Sequence, residues 1–297
     1  MILLTGASGT VGAALLQRLL AAGRPVRCLV RDPRELGPER VRVHLVLADL
    51  ADPASFRHAM RGVHCVVHLA AATRDGARAS IEELNGLATV RLLRAAEAAS
   101  VSRFLFLSTL GASPHAKPRY LRSRALAEQA VAESELETTV LAPSLAIARG
   151  DRLLTMLERL SLLPAMPILA RGSVRYQPIH AADVADAALR ALDGPALGRY
   201  ELAGPETVSL TALTNALLHA RSRRRRKVHL SPSAVRAALA MLERVVGPGV
   251  AATPDEVDLL EVSLLSSGGT ADAERLGVRP RPFAEALATP AVPPGPG

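Results

Sequence analysis

Ile2-Leu3-Leu4-Thr5-Gly6-Ala7-Ser8-Gly9-Thr10-Val11-Gly12 is the stretch that decides the fold of this chain. It joins an apolar strand, a glycine turn and the start of a helix. Gly6 permits a tight turn off the strand, Gly9 lets a phosphate approach the backbone, and Gly12 lets the helix pack closely. The helix, beginning near Thr10 or Val11, directs free N–H groups at that phosphate. The stretch therefore predicts a nucleotide site formed by Gly6, Ser8, Gly9, Thr10, Val11 and Gly12.

The glycine spacing is Gly-x-x-Gly-x-x-Gly rather than the commoner Gly-x-Gly-x-x-Gly, so an ordinary tight strand-to-helix turn is the alternative. The following residues favour the nucleotide site, because strand-like and helix-like patterns alternate through the first half. Apolar strands alternating with amphipathic helices predict a Rossmann-like α/β fold, with a doubly wound parallel sheet covered on both faces. The predicted strands are 2–4, 25–30, 41–47, 63–68, 103–107 and 138–141, and the predicted helices are 11–22, 53–60, 78–99 and 120–134.

The pattern becomes less regular after Pro143, which predicts a second unit. We expect a dinucleotide-binding domain over 1–155, to which 174–193 returns. Residues 194–288 are expected to form a small C-terminal α/β lobe for a substrate or partner. The Pro/Gly-rich tail, 289–297, is expected to be disordered.

Composition limits the class of protein. The chain has 297 residues, only two cysteines and a formal net charge of +8. No metal-ligand spacing, leader segment or membrane-spanning run is found, so we expect a cytoplasmic protein without a structural metal. The basic run Arg221–Lys227 allows a nucleic-acid or anionic-surface patch. Because no aromatic stacking platform accompanies it, a solvated helix end and loop is the favoured interpretation, and nucleic acid is not an expected partner.

Two residues at the end of the second strand bear on cofactor choice. An acidic residue there hydrogen-bonds a ribose 2′-hydroxyl and favours NAD, whereas an arginine pairs with a 2′-phosphate and favours NADP. Arg31 is the first residue past the strand, so the sequence predicts NADP(H) over NAD(H). The alternative is that Arg31 is a solvated loop charge and that Asp32 holds the ribose.

Residues after the third and fourth strands complete the predicted cofactor site. Asp49 and Leu50 could hold the edge and the face of an adenine, although Asp49 could equally cap the following helix. Ala70 and Ala71 provide small residues where the backbone must lie close to a cofactor, with ordinary small-residue packing as the alternative.

A candidate catalytic group begins a helix. Tyr120 and Arg124 are one turn apart on one helix face, and a nearby cation makes a phenol proton easier to lose. Ser108 and Thr109 end the fifth strand and could polarise a carbonyl.

Two histidines are interpreted as mainly structural. His68 lies within a predicted strand and is expected to be a satisfied core residue. His180 stands at a strand end beside the expected pocket, where contact with a substrate is the lesser expectation.

Together these motifs resemble an atypical or extended short-chain dehydrogenase/reductase over about residues 1–205. The resemblance is carried by Thr5–Gly12, Asp49-Leu50, His68–Ala71, Phe106–Thr109, Tyr120-x-x-x-Arg124, Pro143-Ser144 and Gln177–Val184. A narrower similarity, to the NmrA-like branch and the nucleotide-binding accessory subunit of respiratory complex I, is carried by Tyr120–Ala125, Gly150–Arg152 and Gln177–Ile179. The resemblance implies that Pro143 and Ser144 also bind the cofactor.

The resemblance implies an NADP(H)-binding oxidoreductase acting on a carbonyl, quinone or sugar-like substrate. Tyr120 would be the acid/base, and Ser108 or Thr109 would polarise the oxygen. Two residues depart from the family pattern. Arg124 replaces the family's lysine and cannot relay a proton, and Leu110 stands where some extended members keep the serine. A non-catalytic NADP(H)-binding subunit or redox sensor, with a protein partner or in a homo-oligomer, is the alternative.

Overall fold

A seven-stranded parallel sheet forms the centre of the computed structural model, which describes residues 1–76, 79–246 and 252–289. The described strands, in chain order, are β1 (Ile2–Thr5), β2 (Val26–Val30), β3 (His44–Leu47), β4 (Cys65–His68), β5 (Arg103–Leu107), β6 (Glu137–Pro143), β7 (Ala146–Ile147), β8 (Ala165–Leu169), β9 (Arg175–Tyr176), β10 (Ile179–His180), β11 (Gly198–Leu202), β12 (Val208–Ser209) and β13 (Arg226–Leu230). The spatial order of the main sheet is β11-β6-β5-β4-β1-β2-β3. Its strands are parallel, which confirms the predicted doubly wound sheet.

Helices cover both faces of this sheet. The described helices are α1 (Thr10–Ala21), α2 (Pro53–Phe56), α3 (Ala88–Ala98), α4 (Arg119–Ala132), α5 (Arg152–Leu160), α6 (Ala181–Asp193), α7 (Leu210–Ala220), α8 (Pro232–Val246), α9 (Pro254–Leu260), α10 (Ala271–Arg275) and α11 (Phe283–Ala288). Side chains alternate along β1: Ile2 and Leu4 pack with α1 and α6, whereas Leu3 packs with α3. Since both faces are buried, the central strands are apolar throughout.

Two predicted boundaries differ in the structure. The third strand begins at His44 rather than residue 41, because Pro33–Arg42 forms 3₁₀ turns that Asp32 caps by accepting from the Arg34 N–H. The helix predicted over 78–99 consists of a π-helical turn, Glu83–Leu87, followed by α3. Its first residue, Arg78, lies outside the described residues.

Part of the segment expected to form the C-terminal lobe, 194–288, lies in the main sheet and its core. β11 pairs in parallel with β6, and its Tyr200 and Leu202 belong to the first core, which is the apolar cluster between the sheet and helices α1 and α6. Ala273 and Leu276, at α10, join the same core. These segments cover a strand that would otherwise be an open sheet edge, so they extend the main sheet and its core.

A second core interleaves with the first along the chain. It is built from α5, β8, α7 and α11, and the first two of these precede residue 174. Short pairs frame it: β8 with β13 and β7 with β10 in parallel, and β9 with β12 antiparallel. Apart from Thr289, the tail expected to be disordered lies outside the described residues. No helix in the described part of the chain combines the length and apolarity needed to cross a membrane.

Candidate cofactor and active site

The glycine turn lies at the carboxyl end of β1 and is held by close backbone approach. Gly6 has a φ of 72°, and a Cβ there would lie 2.5 Å from the Ala70 nitrogen. A Cβ at Gly12 would lie 1.9 Å from the Gly6 carbonyl oxygen. Gly12 is therefore required because the Gly6 carbonyl lies where a Cβ would stand. The close contact is within the turn itself, whereas the sequence predicted close packing of the helix on the sheet.

The N-terminus of α1 has the features of an anion site. Gly9 is the N-cap, without a side-chain cap, and the first turn contains no acidic residue. The first N–H groups are therefore open to an acceptor. Ser8 and Gly9 are exposed and Thr10 is half-buried, whereas the side chain of Val11 is buried in the first core. Val11 can therefore contact a ligand through its backbone but not through its side chain.

The end of β2 separates the roles of the two charged residues predicted there. Arg31 is exposed and makes no hydrogen bond or ion pair with any residue that the structure describes. The Asp32 carboxylate instead accepts from the Arg34 backbone N–H at 2.9 Å and pairs with the Arg34 guanidinium at 2.7 Å. Those hydrogen bonds hold the pKa of Asp32 below its usual range.

The loop after β3 places Asp49 and Leu50 at the same sheet edge. The Asp49 carboxylate accepts from the Ala51 N–H at 3.0 Å, whereas Asp52 caps α2 through the Ala54 N–H. The alternative in which Asp49 caps the helix is therefore wrong. Leu50 is partly buried against the second face of the sheet.

A buried polar chain fixes the loop after β4. His68 is inaccessible to solvent, and its Nδ1 lies 2.6 Å from the Thr5 hydroxyl while its Nε2 lies 3.0 Å from the Thr89 hydroxyl. Thr89 donates to the Asn85 carbonyl, and the Asn85 side chain bonds both the N–H and the carbonyl of Ala72. Burial, with a contribution from nearby Arg124, lowers the pKa of His68 to about 3. His68 is thus the satisfied core histidine expected from sequence.

Arg124 is buried beside that loop without a described carboxylate partner. Its guanidinium carbon lies 4.4 Å from the centroid of Phe106 and 5.9 Å from that of Tyr120. Nη1 reaches the Ala70 carbonyl at 3.5 Å, and the buried Nε has no hydrogen-bond partner among the described residues. Burial lowers the pKa of Arg124, although arginine remains protonated in proteins. Ala70 is half-buried and Ala71 exposed, so this loop is open beside the arginine.

Ser108 and Thr109 differ in what their hydroxyls contact. The β5 ladder continues through the Ser108 N–H, which donates to the Leu141 carbonyl at 2.7 Å. The Ser108 hydroxyl is buried without a partner in the described part of the chain, whereas that of Thr109 lies 3.2 Å from the Leu110 carbonyl. Since side chains alternate along a strand, Ser108 lies on the face of β5 that also carries Phe106.

Ser144, just after β6, is hydrogen-bonded to the segment that follows α9. Ser144 donates to the Leu264 carbonyl at 2.7 Å and accepts from the Gln177 N–H at 3.1 Å. The Pro143 carbonyl accepts from the Leu110 N–H, so Pro143 lies next to the loop after β5. The Ser144 hydroxyl is already bonded to the C-terminal segment and to Gln177. His180 caps α6 through Ala182, which is a structural role.

Helix α9 is held over the loops at this edge by ion pairs. Arg119, at the start of α4, binds Asp75 and Glu82 as well as Asp255 of α9. Arg74 and Arg152 both pair with Glu256. α9 thereby links the loop after β4 to the starts of α4 and α5.

Sequence reasoning missed the residues that support the site. Asn85 and Thr89 stand one helical turn apart, a spacing that could have drawn attention to them. Phe106 belongs to a motif of the family resemblance, but nothing in that motif identifies it as the ring beneath Arg124. That contact joins β5 to α4, so no local pattern indicates it.

Comparisons with known proteins agree with this geometry. A family model described as NAD(P)H-binding matches residues 6–195. The chain is 32% identical over 248 residues to a (4-alkanoyl-5-oxo-2,5-dihydrofuran-3-yl)methyl phosphate reductase of Streptomyces griseus, covering 80% of each protein. It is 30% identical over 223 residues to NADH dehydrogenase [ubiquinone] 1 alpha subcomplex subunit 9, mitochondrial, of Arabidopsis thaliana, covering 71% of this chain and 56% of that subunit. The match thus spans little more than half of the plant protein.

A solved UDP-glucose 4-epimerase of Thermus thermophilus, in complex with NAD, superposes with a TM-score of 0.73. The superposition covers 96% of each chain at 21% identity, which shows a shared fold. The class defined by the fold and the glycine turn is that of the atypical short-chain dehydrogenase/reductases. The chain belongs to the NAD(P)H-binding family and is related to the complex I subunit that its sequence resembles.

Proposed function

We propose that the chain is an NADP(H)-dependent oxidoreductase acting on a carbonyl, quinone or sugar-like substrate. The observation that carries the cofactor choice is at the end of β2. Arg31 is exposed without a described partner, while the Asp32 carboxylate is already bound to Arg34. A free guanidinium there suits a 2′-phosphate, and a carboxylate already in an ion pair is less available to a ribose hydroxyl.

The residues present fit a dinucleotide. The N-terminus of α1 and the glycine turn would hold its pyrophosphate, Asp49 and Leu50 its adenine, and Ala70 and Ala71 would line its path. Two buried polar atoms without described partners, Arg124 Nε and Ser108 Oγ, suit a ligand that supplies acceptors. The nicotinamide, when bound, supplies hydride transfer.

Side chains of this protein would supply or accept the proton at the substrate oxygen. Tyr120 Oη would exchange a proton with the substrate oxygen, and Ser108 Oγ would donate a hydrogen bond to that oxygen. Arg124, whose guanidinium carbon lies 5.9 Å from the centroid of the Tyr120 ring, would place a positive charge close to that ring. Because arginine keeps its proton, any further relay must run through other groups.

The cofactor proposal is tested by binding. We expect the purified protein to bind NADPH more tightly than NADH, and Arg31→Ala to remove about tenfold or more of that preference. Arg94→Ala, at an exposed arginine of α3, is the matched control and should change neither affinity. Equal affinity for the two cofactors in the unaltered protein would refute the choice of NADP(H).

The catalytic proposal is tested by turnover. NADPH oxidation with a panel of carbonyls and quinones should fall by about a hundredfold or more in Tyr120→Phe and by a smaller factor in Ser108→Ala. Thr109→Val should retain activity, because the Thr109 hydroxyl already lies against backbone carbonyls. Unchanged turnover in Tyr120→Phe would remove that phenol from the mechanism.

A non-catalytic NADP(H)-binding subunit or redox sensor is the second candidate. The buried Arg124 favours it, because a permanent cation in place of the family's lysine suits cofactor retention better than proton relay. The relationship to a complex I subunit also supports a protein partner. Tight NADPH binding without turnover across the panel would favour this candidate over the first.

A further inference from the structure

Nearly all of the net charge of the chain lies in one segment that the proposed function does not use. Residues 221–246 contain eight arginines or lysines and one glutamate. Arg221 pairs with Glu158, and Arg236 pairs with Asp258 and Glu261. Of the other six basic residues, Arg223 and Arg225 hydrogen-bond to Ser161. The side chains of Arg224, Arg226, Lys227 and Arg244 have neither an ion pair nor a hydrogen bond to a described residue.

Apolar side chains lie beside these charges on the outer face of the β8–β13 pair. The register sets Val228 opposite Pro167 and Leu230 opposite Leu169. Met166 and Ile168, the alternate residues of β8, point into the second core. Val228 and Leu230 therefore lie on the face turned away from that core, together with Arg226, and both are exposed.

The segment before β8 and the helix after β13 also carry exposed apolar side chains. Leu162 and Leu163, just before β8, are exposed, and Arg225 Nε donates to the adjacent Ser161 carbonyl. Helix α8 follows β13 directly, and none of its described side chains is buried. Met241 and Val245 are 69% and 77% exposed, one turn apart on the same helix face.

We propose that this basic–apolar surface, formed by Leu162, Leu163, β13 and α8, binds the surface of an anionic lipid bilayer. Unpaired arginines match phosphate headgroups, and exposed apolar side chains enter the boundary between headgroups and acyl chains. Charge complementarity requires an anionic occupant, while the apolar side chains need a medium other than water. A nucleic acid fits less well, because residues 221–246 contain no Phe, Tyr or Trp on which bases could stack. The proposal does not depend on the proposed function.

Vesicle binding of the full chain tests the proposal. The protein should float with phosphatidylcholine vesicles that contain phosphatidylglycerol, not with phosphatidylcholine alone, and should be released by high salt. Arg224→Gln combined with Arg226→Gln should lower the partition coefficient by about tenfold or more. Met241→Ser combined with Val245→Ser should lower it several-fold.

Matched substitutions elsewhere control for charge and apolarity. Arg94→Gln removes one exposed positive charge, and Val41→Ser removes a side chain that is 83% exposed. Both variants should bind vesicles like the unaltered protein. The proposal fails if anionic vesicles do not bind, if the controls lose binding equally, or if duplex DNA or an acidic polypeptide binds more tightly at the same salt.

Discussion

The guanidinium of Arg124 rests on the ring of Phe106, with 4.4 Å between the guanidinium carbon and the ring centroid. Phe106 also contacts a second ring, because His68 stacks with it at a centroid distance of 5.7 Å. A charged group, a phenyl ring and a neutral imidazole thus pack together in the interior. The aromatic face compensates part of the cost of burying the cation, which has no described carboxylate partner.

We expect Arg124 to serve a ligand rather than the stability of the free protein. Arg124→Leu should leave the melting temperature of the cofactor-free protein unchanged or raise it. The substitution removes a buried positive charge that has no carboxylate partner among the described residues. The same variant should weaken NADPH binding by about tenfold or more and reduce the NADPH-induced rise in melting temperature. Arg122→Leu, at an exposed position of the same helix, is the control. A large loss of stability with an unaltered NADPH shift would show a structural role instead.

Two glycines of the turn should separate stability from binding. Gly12→Ala would ordinarily favour a helix, yet we expect a loss of about 2 to 4 kcal/mol because its Cβ would meet the Gly6 carbonyl. At Gly9 the nearest atom, the Gly6 carbonyl oxygen, would be 3.3 Å from a Cβ, so Gly9→Ala should cost less than about 1 kcal/mol. Gly9→Ala should nevertheless weaken NADPH binding, since a methyl group would stand where the phosphate approaches. Urea unfolding and cofactor titration measure the two effects, and equal losses of stability would contradict this division.

His68 should make the fold sensitive to acid. The unfolded chain binds a proton at this residue near pH 6.5, whereas the folded chain excludes it until about pH 3. Because the unfolded state binds more protons across that interval, stability falls as pH falls, by about 1.4 kcal/mol per unit. Between pH 6.5 and 5 the free energy of unfolding should therefore drop by about 1.7 kcal/mol more than in His68→Gln, because the unfolded histidine is only half protonated at pH 6.5. His115→Gln, at an exposed histidine, should show the same change of unfolding free energy with pH as the unaltered protein. If His68→Gln also showed that same change, His68 would not be the source of the acid sensitivity.

Local patterns predicted much of the sheet. The glycine turn and the apolar runs at β1, β4 and β5 are local signals, and each lies where the alternation of strands and helices indicated. The Asp52-Pro53 pair is a helix-start signal that was present in the sequence. It would have predicted Asp52, rather than Asp49, as the N-cap of α2. By contrast, β11 is five residues long and finds its partner far back along the chain, so its place in the main sheet depends on pairing that no local pattern encodes.

Local patterns also indicated where some residues of the candidate site lie, but not what surrounds them. Tyr120, Arg124 and Ser108 follow from strand ends and helical spacing. The different environments of Ser108 and Thr109 do not, because these depend on which carbonyls the folded backbone brings near each hydroxyl. Likewise, the unpaired state of Arg31 among the described residues depends on Asp32 having turned toward Arg34.

The contact of Gly6 with Ala70 has a consequence for the order of folding. The turn contains every glycine of the phosphate motif within the first twelve residues, but its shape is set against a strand end more than sixty residues later. A nascent chain that ends before β4 would carry the motif without the surface that shapes it. Cofactor capture during synthesis is therefore expected only after β4 has emerged and paired with β1.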